Sequence, residues 1–385
     1  MSNRLQQLSA AGTAVWLDFV DRGFLSQGGL KKLVAEDGCS GVTSNPSIFE
    51  KAMGHGDAYD AGFTEALRQG DAEPIALYEG EAIADIRAAA DDLRPVYDRL
   101  AGKDGYVSLE VSPYLATDTQ GTIAEAHRLW QAVDRPNLMI KVPGTPEGVP
   151  AIRQLLEDGL NINVTLLFAR EAYQAVAMAH VEALEARVAK GEAVDRIASV
   201  ASFFVSRIDT QIDKQIDDRL AGGDPDSAAL KALRGRIAIA NAKLAYAWWQ
   251  ELVESERWAK LAMHHAMPQR LLWASTGVKD KAYPQTLYVD ALIGPETVNT
   301  MPMATIDAFR ESGTVTQSLA ADLEGARIML AEAERLGIDL GKVTADLVVA
   351  GVKSFSDAFD ELLDSVAKKR MQLIDAKGSD AKTDA

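Results

Sequence analysis

Cysteine is almost absent from these 385 residues: Cys39 stands alone, so no intramolecular disulfide can form, and its expected role is a small core residue. The five histidines are scattered without metal-ligand spacing, which excludes a zinc-type centre. His264 and His265 follow a helical stretch and suit capping or the surface. No run of about 18 apolar residues occurs, and the N-terminal MSNRLQQLSAAG has no apolar leader segment, so neither a membrane span nor secretion is expected. Positive charge is short as well. Lys and Arg number 40 against 56 Asp and Glu, a net −16 that removes nucleic acid as a partner, because phosphate backbones attract basic faces. Any anionic substrate must then find a locally positive pocket. PGTPEG (143–148) lacks the lysine and hydroxyl that close a P-loop, and turn chemistry accounts for it. The expectation is a soluble, acidic, cytoplasmic protein.

What is present is ordinary globular material, 47% hydrophobic and 25% charged. Short runs rich in Val, Ile and Leu read as strands: AVWLDFV (from 14), GVTSNP (41), YVSLEVS (106), LMIKVPG (138), NINVTLLF (161), RIASVASFFVS (196), LLWASTG (271) and VNTMP (298). Between them, 79–100, 169–190 and 228–256 show helical spacing. Eight strands alternating with helices predict a parallel (β/α)8 TIM barrel, with an open doubly wound sheet as the alternative. The long intervals 41–106 and 196–271 predict extra helices outside the barrel. One catalytic barrel domain is expected over 1–374, and a polar, disordered tail over 375–385. Trp248, Trp249 and Trp258 fall in the second long interval; they are expected to pack that helix onto the barrel, with a homodimer contact as their other use.

Side chains alternate along a strand, so residues two apart share a face. Leu138, Ile140 and Val142 then pack outward and leave Met139 and Lys141 on the barrel axis. The same parity turns Val107, Leu109 and Val111 out and Ser108, Glu110 and Ser112 in. It places Ile162, Val164 and Leu166 outside with Asn163 and Thr165 inside, puts Asp18 on the axis, and pairs Thr43 with Asn45. Barrel interiors are normally filled by branched apolar residues, and burying an unpaired charge costs several kcal/mol. A structural ion pair of Lys141 with Glu110 or Asp18 would explain the charges, but not their Asn and Thr neighbours on further strands. A polar active site at the C-terminal mouth explains both.

An enclosed lysine has a specific use. Desolvation favours the neutral amine, which attacks a ketone to form a Schiff base, and the iminium is an electron sink for breaking the neighbouring C–C bond. Carboxylates must move the protons: one for imine formation, one for the hydroxyl proton released in cleavage. Lys141, Glu110 and Asp18 supply that set without a metal.

GVTSNPSIF (41–49) and IKVPGTPEGV (140–149) resemble the two signature segments of transaldolases, and NVTLLF (163–168), SFFVSRID (202–209) and WASTGVKDKAYP (273–284) extend the resemblance over nearly the whole chain. It implies a Schiff-base (β/α)8 barrel, without cofactor, that moves a dihydroxyacetone unit from sedoheptulose 7-phosphate to glyceraldehyde 3-phosphate in the pentose phosphate pathway. It further implies Lys141 as the Schiff-base lysine, Asp18 as proton acceptor in cleavage, and Glu110 with Thr165 as holders of the catalytic water. Asn45, Asn163 and Ser202 are the implied contacts to the dihydroxyacetone unit, and Arg207 the phosphate ligand. Better-known members carry a second arginine after strand seven; this chain offers Lys279 there, with Ser275 as an added hydroxyl. Phe204 goes with transfer in this family, where tyrosine goes with plain aldol cleavage. The competing expectations are an aldolase that releases free dihydroxyacetone and a non-catalytic sugar-phosphate-binding barrel.

Overall fold

The computed structural model describes residues 2–70 and 72–383, with side chains described as far as Asp375. Eight strands form at the eight predicted places: β1 Thr13–Asp18, β2 Gly41–Thr43, β3 Tyr106–Glu110, β4 Leu138–Pro143, β5 Ile162–Leu167, β6 Ser199–Phe204, β7 Arg270–Ala274 and β8 Thr297–Met301. Each pairs in parallel with the next, and β8 returns to β1 through Thr13↔Thr297 to Leu17↔Met301, closing a (β/α)8 barrel. The register sets Glu110 beside Lys141, and Lys141 beside Asn163, at one level of the wall. Asp18 lies beside Thr43 on the adjoining pair.

Both long intervals hold additional helices, as their length predicts. The second differs from the expected single helix over 228–256, which breaks into Ser227–Leu233 and Ile237–Val253. The break falls at Gly235, whose φ of +67° is left-handed. Its amide donates to Asp213 Oδ1 (3.1 Å), and a Cβ there would come 2.8 Å from the Tyr283 ring. Close approach of the 275–286 loop therefore outweighs helical propensity at this point. Trp248 meets Tyr173 edge-on, Trp249 Nε1 donates to the Gln269 carbonyl (2.9 Å), and Trp258 stacks on His180, so the tryptophans do pack this region onto the barrel. Cys39 is buried, and burial pushes its thiol up to about 12, away from a thiolate role.

The strand alternation holds except past Thr165. A register shift between Val164 and Leu167, with Leu166 at φ +60°, breaks it, and Leu166 packs on Gly351 of the last helix instead of following Val164 outward. That helix, Leu340–Thr383, runs across the C-terminal mouth and packs on the helices Pro46–Gly54 and Pro74–Arg99. Its seat is aromatic: Phe359 meets Tyr78 and Tyr114 edge-on at 5.6 Å each, and Leu362 and Val366 are fully buried. Helical backbone thus continues past Ile374 as far as Thr383, while the side chains of the expected tail from 376 onward lie outside the described residues.

Candidate active site

The C-terminal ends of the strands enclose a cavity of about 360 Å³ lined by Asp18, Thr43, Asn45, Lys141, Thr165, Ser202, Phe204, Arg207, Ser275 and Lys279, among others. Met139, two residues before Lys141, lines a separate cavity at the opposite end of the barrel, as axial parity requires.

Lys141 is the centre of the group. Its side chain is 6% exposed; Nζ lies 3.0 Å from Glu110 Oε2 and donates to the Ser44 carbonyl at 3.0 Å. Glu110 sits behind it, off the cavity lining. Burial raises the Glu110 pKa, and the neighbouring lysine charge opposes that rise. Glu110 Oε1 and Thr165 Oγ1 are buried and have no hydrogen-bond partner among the described residues, which leaves both able to hold a water. Asp18 is also raised by burial and held back by Lys141, by the Thr43 hydroxyl donating to Oδ1 (2.7 Å), and by Arg207. Thr43 Oγ1 is in turn 2.7 Å from Thr300 Oγ1, which fixes the Asp18 rotamer through a hydroxyl pair.

Asn45 has two uses. It caps the helix Pro46–Gly54, its side-chain oxygen accepting from the Ile48 amide (3.1 Å), and it lines the cavity. Asn163 is placed differently from the rest: it is fully buried beside Lys141, with Nδ2 donating to Ser108 Oγ (2.9 Å) and Oδ1 accepting from Ser202 Oγ (2.7 Å). Ser202 reaches the cavity, and Asn163 orients it.

Arg207 opens the helix Ser206–Ala221 and stacks its guanidinium 4.8 Å over the Phe204 ring, which itself leans on Phe168. Burial lowers its pKa, while Asp18 and Glu110 raise it, and among the described residues no carboxylate pairs with it. Its positive charge is therefore available to a ligand. Ser275 stands at φ +55° with Oγ 3.0 Å from Ser206 Oγ, tying the β7 loop to the Arg207 helix. Lys279 is exposed at the rim.

The cavity also includes residues that the strand reading missed: Ser47, Lys51, Thr300, Ser354 and Phe355. Ser47 and Lys51 are four apart on one helix face, so taking Asn45 as the cap would have found them. Phe355 belongs to the C-terminal helix and lies with its ring centroid 5.6 Å from Lys141 Nζ. No local signal marks it.

The family model "Transaldolase/Fructose-6-phosphate aldolase" matches residues 15–366. The chain belongs to the transaldolase/fructose-6-phosphate aldolase family. Relatives bearing the name transaldolase include that of Thermobifida fusca, 49% identical over 96% of this chain and 99% of its own length. Those of Thiobacillus denitrificans and Trichodesmium erythraeum are 48% and 43% identical over 94% and 97% of this chain, and each is covered to 99%. Membership in this family accounts for a polar barrel axis that core packing does not explain.

Proposed function

We propose that this transaldolase carries a dihydroxyacetone unit on Lys141 between sedoheptulose 7-phosphate and glyceraldehyde 3-phosphate. The observation that carries the reading is Lys141 enclosed in the barrel, 3.0 Å from Glu110, in the same cavity as Asp18 and Arg207. Glu110, with its pKa raised, takes the ammonium proton; the amine adds to the ketone carbon, and the carbinolamine loses water against Glu110 and the Thr165 hydroxyl. Asp18 accepts the proton of the C4 hydroxyl. The C3–C4 bond breaks, its electron pair moves into the iminium, and an aldose leaves while an enamine stays on Lys141. The acceptor aldehyde then adds by the reverse steps. Arg207, with Lys279, Lys51 and Ser275, offers the phosphate a local positive field inside a molecule of net charge −16. Phe204 presents an apolar ring to the cavity, which favours transfer over release.

No described helix is long and apolar enough to cross a membrane. We place the enzyme in the cytoplasm as a homodimer, for which exposed Met263, Ile328 and Val349 offer apolar surface; sedimentation at a single 41.5 kDa mass would remove the dimer.

Borohydride reduction in the presence of fructose 6-phosphate, followed by peptide mass mapping, tests the chemistry. The expected result is a dihydroxyacetone adduct on Lys141, lost in Lys141→Ala. An adduct on Lys279, or none, overturns the assignment.

A further inference from the structure

Among the described residues, the Lys141 amine makes one hydrogen bond, and it goes to the backbone: Nζ donates to the Ser44 carbonyl at 3.0 Å. Glu110 Oε2 is equally near, at 3.0 Å, but as the ion-pair partner that takes and returns a proton. The Ser44 contact involves no proton transfer, so it is the fixed point of the pair. What holds that carbonyl is a side chain. Ser44 is the first residue past β2, and the pairing of β2 with β3 ends earlier, at Val42↔Val107. Beyond that point the Ser44 hydroxyl carries the connection, donating to the Ser108 carbonyl of β3 at 2.8 Å. Both serines are fully buried.

From this arrangement we infer that Ser44 is a positioning residue for the Lys141 amine: its hydroxyl fixes the carbonyl that sets where Nζ stands and which way its lone pair points. The inference rests on the Schiff-base reading above. Lysine carries its nitrogen on a flexible four-carbon stem, and the amine adds to a ketone only when it is close and its lone pair is aligned. A carbonyl oxygen accepts and never donates, so the direction facing Ser44 is filled by an N–H and never by the lone pair. That direction is away from the substrate. Ser44 is not part of the substrate cavity; it lines a cleft of about 50 Å³ on the barrel flank, shared with the helices Pro46–Gly54 and Pro74–Arg99. With one N–H drawn to the flank, the lone pair is left to directions that include the cavity. Asn45, the next residue, has its own anchor in the cap bond from the Ile48 amide, so loosening Ser44 disturbs the amine rather than the substrate contact.

Ser44→Ala removes the hydroxyl and keeps the carbonyl, and Ser44→Thr keeps both. Two quantities are measured on each purified variant: the rate of borohydride adduct formation on Lys141 with fructose 6-phosphate, and the inhibition constant of glucitol 6-phosphate. The second compound has no carbonyl, so it reports binding without imine formation. For Ser44→Ala the expected result is adduct formation slowed about tenfold, with the inhibition constant within about twofold of wild type. Ser44→Thr is expected to restore the rate. A Ser44→Ala variant that traps at the wild-type rate overturns the inference. Glucitol 6-phosphate binding that weakens in step with trapping also overturns it, because the hydroxyl would then support the whole site. So does a folded Ser44→Thr as slow as Ser44→Ala. Should Ser44→Thr melt without a cooperative transition, Ser44→Cys, a weaker donor of similar size, takes its place: a rate between those of Ala and wild type supports the inference, and a rate equal to Ala overturns it. A wild-type protein that forms no Lys141 adduct would instead sink the Schiff-base reading, so the two failures are told apart by the unmodified enzyme.

Discussion

Asp18 and Glu110 are chemically alike and held differently. Asp18 has one carboxylate oxygen bonded to Thr43 and lies on the cavity surface, whereas Glu110 is set behind the lysine with Oε1 unpartnered. Burial raises both pKa values, but only Glu110 shares a short ion pair with the amine. The two should therefore fail at different steps. Glu110→Gln is expected to slow borohydride trapping, because it removes the group that takes and returns protons at nitrogen. Asp18→Asn is expected to trap normally while turnover falls by about 10²–10⁴, the range for a lost acid–base group. Stopped-flow trapping beside steady-state transfer decides it: equal losses in both assays for both variants would mean that the carboxylates act as one unit.

Between elements, the seam joining the Arg207 helix to the helix Ile237–Val253 contains a buried acid. Asp209 accepts from the Ala238 amide (2.8 Å) and from the Tyr288 hydroxyl (3.1 Å), and burial raises it to about 7. Because the folded pKa lies above the ordinary 3.8, the native chain holds this proton between those values, and stability is lost as pH rises through about 7. Asp209→Asn keeps the acceptor for Ala238 and removes the charge. Its melting temperature should exceed wild type at pH 8, with relief on the order of a few kcal/mol, and the gap should close near pH 4. A variant less stable at pH 8 would show that the ionised form is the one the seam prefers.

Sequence legibility at this scale followed locality. All eight strands and the axial placement of Lys141, Glu110 and Asp18 came from alternation within single strands, a pattern that a closed barrel preserves. The break at Gly235 depends on a tyrosine 48 residues downstream, and the turn of Leu166 depends on a helix 185 residues away; no local pattern encodes either. Ser354 and Phe355 were hidden for the same reason, since nothing in their own stretch distinguishes a helix that lies over a cavity from one that packs on a flank.

For the molecule as a whole, β1 finds β8 only when Thr13 meets Thr297, so the barrel closes across nearly three-quarters of the chain. Such distant pairing slows folding, because loop entropy is lost before the contacts form. The helix over the mouth comes later still. During synthesis, the eight strands leave the ribosome before Phe355 does. The part of the cavity wall that Ser354 and Phe355 supply thus arrives after all eight strands, and loss of the final segment by a premature stop or a protease should leave the cavity without that wall. A chain stopped after Gly337 is expected to transfer no dihydroxyacetone when translated in vitro, whereas full-length transfer from that product would show that the barrel alone suffices.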